Sequence, residues 1–284
     1  MRVLIVDDDP AVRLTLAMAF ENTGWQLATA GSGQEALAKL ESATFDVLIL
    51  DKNLPDTTGV DLLRRQRLSG NRAHAFIITG QADARSAADT LELGIDGYYE
   101  KPFDNVYEVV KAIRETVQRN RRGNPADLAQ ASTHFRRSQS MLGDGRPVSG
   151  HQIERGLALC PDQAEAELVD RALRELCVEV DSATSSQQAI DHMRARRPEL
   201  VVLDAQQIEP KVTWLAEQYR SLVPHGVVLV LGRQQLGLDS LKKLIGLGVD
   251  GLIDRPLDAA QLRAKLMQAL QQAAWRRGIS DVNG

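Results

Sequence analysis

The chain has 284 residues, of which 43% are hydrophobic and 25% charged, and a formal net charge of -4. That length accommodates two ordinary domains, each burying its own core, and the composition excludes a disordered or collagen-like chain. The small net charge argues against nucleic acid or a membrane surface as the main partner, and no apolar run reaches the length of a membrane span. Asp7, Asp8 and Asp9 interrupt the first apolar stretch too early for a secretory leader. Cys160 and Cys177 form no CxxC pair and read as reduced core residues. A cytoplasmic protein is expected.

In chain order, "VLIVDD", "QLATA", "DVLILD", "AFIITG" and "GYYEKP" are strand candidates, separated by helical spacings. In "AVRLTLAMAF", Val12, Leu16 and Phe20 share a face; in "NVYEVVKAIRETV", Val106, Val110, Ile113 and Val117 do the same. Five such alternations predict a doubly wound parallel sheet covered on both faces. Asp9 is expected to cap the first helix, with Pro10 at its first position.

Strand patterns then fade across a linker at 121–152, rich in Gly, Pro, Ser and Arg. They return in the same order as "GLALCPD", "CVEVDSA", "ELVVLDA", "GVVLVLG" and "GLIDRP". "LGIDGYYEKPFD" and "LGVDGLIDRPLD" match in register, so the second segment reads as a copy of the first. The domains are therefore placed at 1–120 and 153–275.

Ligands of an open parallel sheet bind beyond the carboxyl ends of its strands. In the first copy those ends carry Asp7 and Asp8, Asp51, Thr79, and Lys101 before Pro102. Clustered carboxylates repel one another, and a hard divalent cation such as Mg²⁺ offsets that repulsion while neutralising phosphate oxygens. A carboxylate beside such an ion is a nucleophile for phosphoryl transfer.

The motifs "VDDDP", "LILDKNLPDTTG", "FIITGQA" and "GYYEKPF" resemble those of a receiver domain of the two-component response-regulator family, CheY-like, over residues 1–120. The resemblance implies two tandem flavodoxin-like domains of strand order 2-1-3-4-5. It makes Asp51 the phosphoacceptor and Asp8 a direct Mg²⁺ ligand. Asp7 acts on the same ion through water, and Asn53 offers its backbone carbonyl. Thr79 and Lys101 are the switch threonine and the conserved-type lysine, Tyr98 is the switch aromatic, and Gln81 and Asn53 tune the lifetime of the phosphate. A sensor histidine kinase or phosphotransfer protein is the implied donor.

Aligned by spacing, the second copy sets Asp162 against Asp8 and Asp204 against Asp51. Pro161 replaces the first acid, Leu231 replaces Thr79, Leu252 replaces Tyr98 and Arg255 replaces Lys101. Leucine cannot bond a phosphoryl oxygen, and arginine is a rigid fork rather than a point charge. Arg255 is expected to pair permanently with Asp204 or Asp162, making a degenerate pseudo-receiver. The expected output is a contact with a downstream protein or a second copy of the chain. An aspartate-nucleophile phosphatase is the enzyme alternative, weakened because Asn53 stands where a second acid is wanted. A nucleic-acid-binding regulator using the basic linker is the third reading.

Overall fold

A computed structural model describes residues 1–121, 153–205 and 211–276. The linker placed at 121–152 lies, apart from Arg121, outside the described residues. The chain divides into two compact units, Met1–Arg119 and Asn120–Gly284.

In the first unit, strands β1 (Arg2–Val6), β2 (Gln26–Ala30), β3 (Val47–Asp51), β4 (His74–Thr79) and β5 (Gly97–Glu100) alternate with five helices. These are α1 (Pro10–Phe20), α2 (Gly33–Ser42), α3 (Gly59–Leu68), α4 (Ala84–Glu92) and α5 (Val106–Arg121). The sheet is parallel, in the order β2-β1-β3-β4-β5. β3 is buried along its whole length, as a central strand covered on both faces must be. Val3, Ile5, Val47, Ile49, Phe76 and Ile78 meet Leu16, Phe20, Val110, Ile113 and Val117 of α1 and α5. The expected faces of both helices are thus the ones that pack.

Each helix in this unit begins where a side chain satisfies its free N–H groups. Asp9 accepts from Ala11 and caps α1, with Pro10 behind it; Ser32, Thr58 and Asp83 cap α2, α3 and α4. Asp56 also accepts from Gly33 and Gln34 at 2.8 Å each, pinning the loop after β3 to the start of α2. Those bonds hold its carboxyl below the usual range.

The second unit has β6 (Ile153–Leu159), β7 (Cys177–Ala183), β8 (Leu200–Asp204), β9 (Val227–Leu231) and β10 (Gly251–Ile253). Its helices are α6 (Gln163–Arg174), α7 (Ser186–Arg196), α8 (Lys211–Leu222), α9 (Leu238–Gly246) and α10 (Ala259–Arg276). The strand order β7-β6-β8-β9-β10 repeats that of the first unit, again all parallel. Both units therefore have the flavodoxin-like fold.

The shared "LGIDG" and "LGVDG" have a common structural cause. Gly94 and Gly248, both at φ 69°, stop α4 and α9 in the left-handed conformation. Asp96 and Asp250 then accept the backbone N–H of Ala75 and Val228 on the neighbouring strand, at 3.0 and 2.9 Å. Arg67 donates to the carbonyls of Leu93, Asn71 and Ala73; Arg220 donates to those of Leu247, Gly248 and Gly226. In each unit one guanidinium thus ties the turn before the last strand to the turn before the fourth.

Candidate functional site

The carboxyl ends of β1, β3, β4 and β5 bring the expected residues together. Asp7 and Asp51 are buried, Thr79 is buried, and Asp8 is exposed. Ligand oxygens of Asp7, Asp8 and Asp51 all lie within 4.8 Å of one another. Lys101 Nζ donates to Asp7 Oδ2 and to Asp51 Oδ2, at 2.9 Å in both cases. Asp7 Oδ1 accepts from the Asp9 N–H at 3.0 Å, and Asp51 Oδ1 from the Asn53 N–H at 3.3 Å.

Burial dominates the acid–base character of this group. It raises the Asp7 carboxyl above its usual range, against the opposing pull of Lys101 and the Asp9 N–H. For Lys101 burial acts downward, but bonds and charges from Asp7 and Asp51 outweigh it and hold the ammonium above the ordinary lysine value. Lys101 is therefore the charged partner on which both buried acids depend.

Two further residues shape the rim, and neither was assigned a role from the sequence. Gly59 begins α3 where a Cβ would lie 2.1 Å from the Asp51 carbonyl oxygen, so only glycine admits this close approach. Arg13 donates to the carbonyls of Asp7 and Asp8 at 2.5 and 3.0 Å, fixing the backbone that aims both carboxylates. Each reads in isolation as an ordinary loop glycine or surface charge.

Thr79 turns its hydroxyl to the Gln81 carbonyl at 3.1 Å and accepts from the Gln81 N–H at 3.0 Å. Tyr98 is 6% exposed, its hydroxyl 3.4 Å from Ser86 Oγ on α4.

The second unit assembles a different group at the same rim. Arg255 donates to Asp204 Oδ2 at 2.7 Å and grips Glu165 through Nε and Nη2, at 2.9 and 2.7 Å. Asp204 is thus one of its acids, as expected. Asp162 is not the other: it caps α6, accepting from Glu165 N–H at 2.9 Å. Asp162 is therefore the counterpart of Asp9, which caps α1, and not of Asp8. Pro161 accordingly takes the place of Asp8, and Cys160, one residue beyond β6, that of Asp7. The Cys160 N–H donates to Ala183 O as the Asp7 N–H donates to Ala30 O. Burial, then the charges of Asp204 and Glu165, push the Cys160 thiol up to about 12.

The expected replacement of Thr79 by Leu231 is likewise displaced by one residue. Leu231 pairs with Asp204 as Ile78 pairs with Asp51, so Gly232 stands in the place of Thr79. Gly232 has φ 87°, and a Cβ there would lie 2.5 Å from Arg255 Nη1. Where the first unit keeps a hydroxyl, the second has cleared a space and filled it with guanidinium. Burial acts to lower the Arg255 pKa, and Glu165 and Asp204 more than reverse it. Leu252 does occupy the place of Tyr98.

Comparison with known proteins bears on the first unit most directly. Residues 3–114 match the family model of the response regulator receiver domain. The chain is 36% identical over 181 residues to the transcriptional regulatory protein TrcR of Mycobacterium tuberculosis, covering 60% of this chain and 70% of TrcR. It is 34% identical over 117 residues to the probable transcriptional regulatory protein TcrX of the same organism, covering 41% of this chain and 50% of TcrX. A solved CheY-like receiver domain protein from Methanospirillum hungatei is 32% identical, with 40% of this chain and 90% of that one covered and a TM-score of 0.38. With that share of TrcR matched at that identity, and a receiver domain at residues 3–114, the chain belongs to the response regulator family.

Proposed function

We propose that the first unit accepts a phosphoryl group on Asp51 from a histidine kinase or phosphotransfer protein, and that the second unit does not. The observation carrying this reading is the convergence of Asp7, Asp8 and Asp51 on one point with Lys101 bridging two of them. Three carboxylates with no soft ligand among them are a donor set suited to Mg²⁺. Asp8 and Asp51, the Asn53 carbonyl, and Asp7 through water would hold it. The ion supplies charge neutralisation for the phosphoryl oxygens.

A carboxylate oxygen of Asp51 attacks phosphorus, the bond from phosphorus to the donor's imidazole nitrogen breaks, and an acyl phosphate remains. Lys101 is placed to follow the charge from the carboxylate to a phosphoryl oxygen. Thr79, once released from Gln81, supplies one hydrogen bond to another. That release is the event that couples modification to the β4–α4 region, with Tyr98 following.

In the second unit Arg255 supplies the cation permanently, so Asp204 is neither free to hold a metal nor open to attack. This pseudo-receiver serves as an adaptor or dimerisation surface, and output passes through contact with a downstream protein. A cytoplasmic location agrees with the absence, among the described residues, of any helix long and apolar enough to cross a membrane. Catalysis on outside substrates is not part of this reading. The names of TrcR and TcrX favour a role in transcription as the pathway's end point.

The test is incubation with acetyl phosphate and Mg²⁺, followed by hydroxylamine, which cleaves acyl phosphates. An adduct that forms and is removed by hydroxylamine supports the reading. Catalytic turnover of small phosphoesters abolished by Asp51→Ala would replace it with a phosphatase.

A further inference from the structure

Immediately after Asp51, Lys52 sends its side chain away from the carboxylate cluster and across to the loop between β4 and α4. Its backbone is held on both sides: the N–H donates to Ile78 O at 2.8 Å and the carbonyl accepts from Gly59 N–H at 2.9 Å. From that fixed base Nζ donates to Asp83 Oδ2 at 2.7 Å and to the Gln81 carbonyl at 2.9 Å. The side chain of Lys52 is 18% exposed.

Both acceptors already have other duties. Asp83 Oδ1 caps α4 through the Ser86 N–H at 2.7 Å. The Gln81 carbonyl is the acceptor of the Thr79 hydroxyl, and the Gln81 N–H donates back to Thr79 Oγ. One ammonium therefore ties the strand end carrying Asp51 to the group that holds Thr79 and to the cap of α4.

The second unit supplies an internal comparison. Ala205 stands where Lys52 does, its N–H donating to Leu231 O as that of Lys52 donates to Ile78 O. Gly237 precedes α9 where Asp83 precedes α4, and makes no side-chain cap. Gly232 replaces Thr79. The unit that lacks the threonine also lacks both ends of the tether, which links the tether to the switch rather than to the stability of the fold.

We propose that Lys52 is a positioning residue for the switch, holding Gln81 so that the Thr79 hydroxyl stays turned away from Asp51 until a phosphoryl oxygen competes for it. This rests on the reading of Asp51 as phosphoacceptor. Thr79 has one hydroxyl proton, and giving it to a phosphoryl oxygen means giving up Gln81. Because the Gln81 N–H is bonded to the same oxygen, Gln81 must yield as Thr79 turns, and Lys52 resists that movement at two points. Loosening the tether lowers the cost of the active arrangement.

The experiment is an equilibrium titration with beryllofluoride, a non-covalent phosphoryl mimic, at saturating Mg²⁺, followed through the Thr79 and Gln81 amide signals by NMR. Lys52→Met is expected to bind about two- to five-fold more tightly than wild type, the shift a partly exposed ion pair supplies. Asp83→Asn keeps a good helix cap while removing the charge, and should shift binding the same way. The double variant should add little to either single one. Wild-type affinity should rise as NaCl screens the pair and that of Lys52→Met should not follow, a difference that a purely structural role for Lys52 would not produce. Unchanged or weaker binding by both single variants, with wild type binding normally, would overturn the tether alone. Failure of wild type to bind would overturn the Asp51 reading and the tether with it.

Discussion

Arg255 occupies part of the space that a side chain on Gly232 would need: Nη1 lies 2.5 Å from where a Cβ would stand, as does Gln235 Oε1. The two positions work as a pair, since the glycine admits the guanidinium and its φ of 87° disfavours any other residue. Gly232→Ala should therefore destabilise the second unit by about 2 kcal/mol through backbone strain and the displaced arginine. Arg255→Ala should cost more, about 3–5 kcal/mol, because it leaves Asp204 and Glu165 without their cation. Urea unfolding of each variant measures both.

In the first unit the corresponding cation is Lys101, and its loss has a pH signature. Its pKa is raised on folding. Its contribution to stability is thus fully present below the unfolded-state value of about 10.4, and is lost as pH rises through the higher folded value. Lys101→Met should cost about 3 kcal/mol near neutral pH, since two buried carboxylates lose their partner. The variant should also lose less stability than wild type on alkaline titration above about pH 10. Urea midpoints near pH 7 and near pH 11 test the sign.

Asp7 runs the other way. Burial raises its pKa, so its charge is a burden on the unmodified fold: stability falls as pH rises from the unfolded-state value through the higher folded one, and the loss persists above it. Asp7→Asn keeps an acceptor oxygen for the Asp9 N–H, while Lys101, facing the amide NH2, retains Asp51 as its acceptor. It should leave stability unchanged or raise it by about 1 kcal/mol, as removal of a strained functional group often does. Binding of Mg²⁺ should weaken by about ten-fold or more, the usual penalty for disturbing a site's outer ligand shell. Thermal melts without added metal, beside a Mg²⁺ titration, separate the two effects.

The Arg67 fork reaches the carbonyls of Leu93, Asn71 and Ala73 at 3.1, 3.0 and 2.9 Å. Lysine keeps the charge but cannot span these acceptors. Arg67→Lys should cost about 2 kcal/mol of first-unit stability, read as a lower urea midpoint, while leaving the acidic cluster intact.

The fold was legible because fully buried strands and capped helices leave plain signals. Asp51, Asp7 and Thr79 were legible because each directly follows an apolar run, and Lys101 because it stands before Pro102 just after the last strand, so all four must emerge at the same rim. What the sequence hid has physical causes. A strand buried on both faces shows no alternation, so "GVVLVLG" does not reveal its phase, and Leu231 was set one residue away from its true counterpart, Ile78. Asp162 was matched by its carboxylate to Asp8, although the residues around it show a helix cap, as at Asp9. Glu165 lies in the first turn of an amphipathic helix, where an acid reads as a favourable surface charge; only the fold brings Arg255 to it. Lys52 and Asp83 are 31 positions apart, and nothing in local spacing couples them.

Intact mass after exposure to acetyl phosphate and Mg²⁺ is the most direct measurement, made on wild type, Asp51→Asn and Asp204→Asn. One phosphoryl adduct is expected on wild type and on Asp204→Asn, and none on Asp51→Asn. An adduct that survives in Asp51→Asn but vanishes in Asp204→Asn would contradict the account, because the residue sealed beneath Arg255 would then be the reactive one.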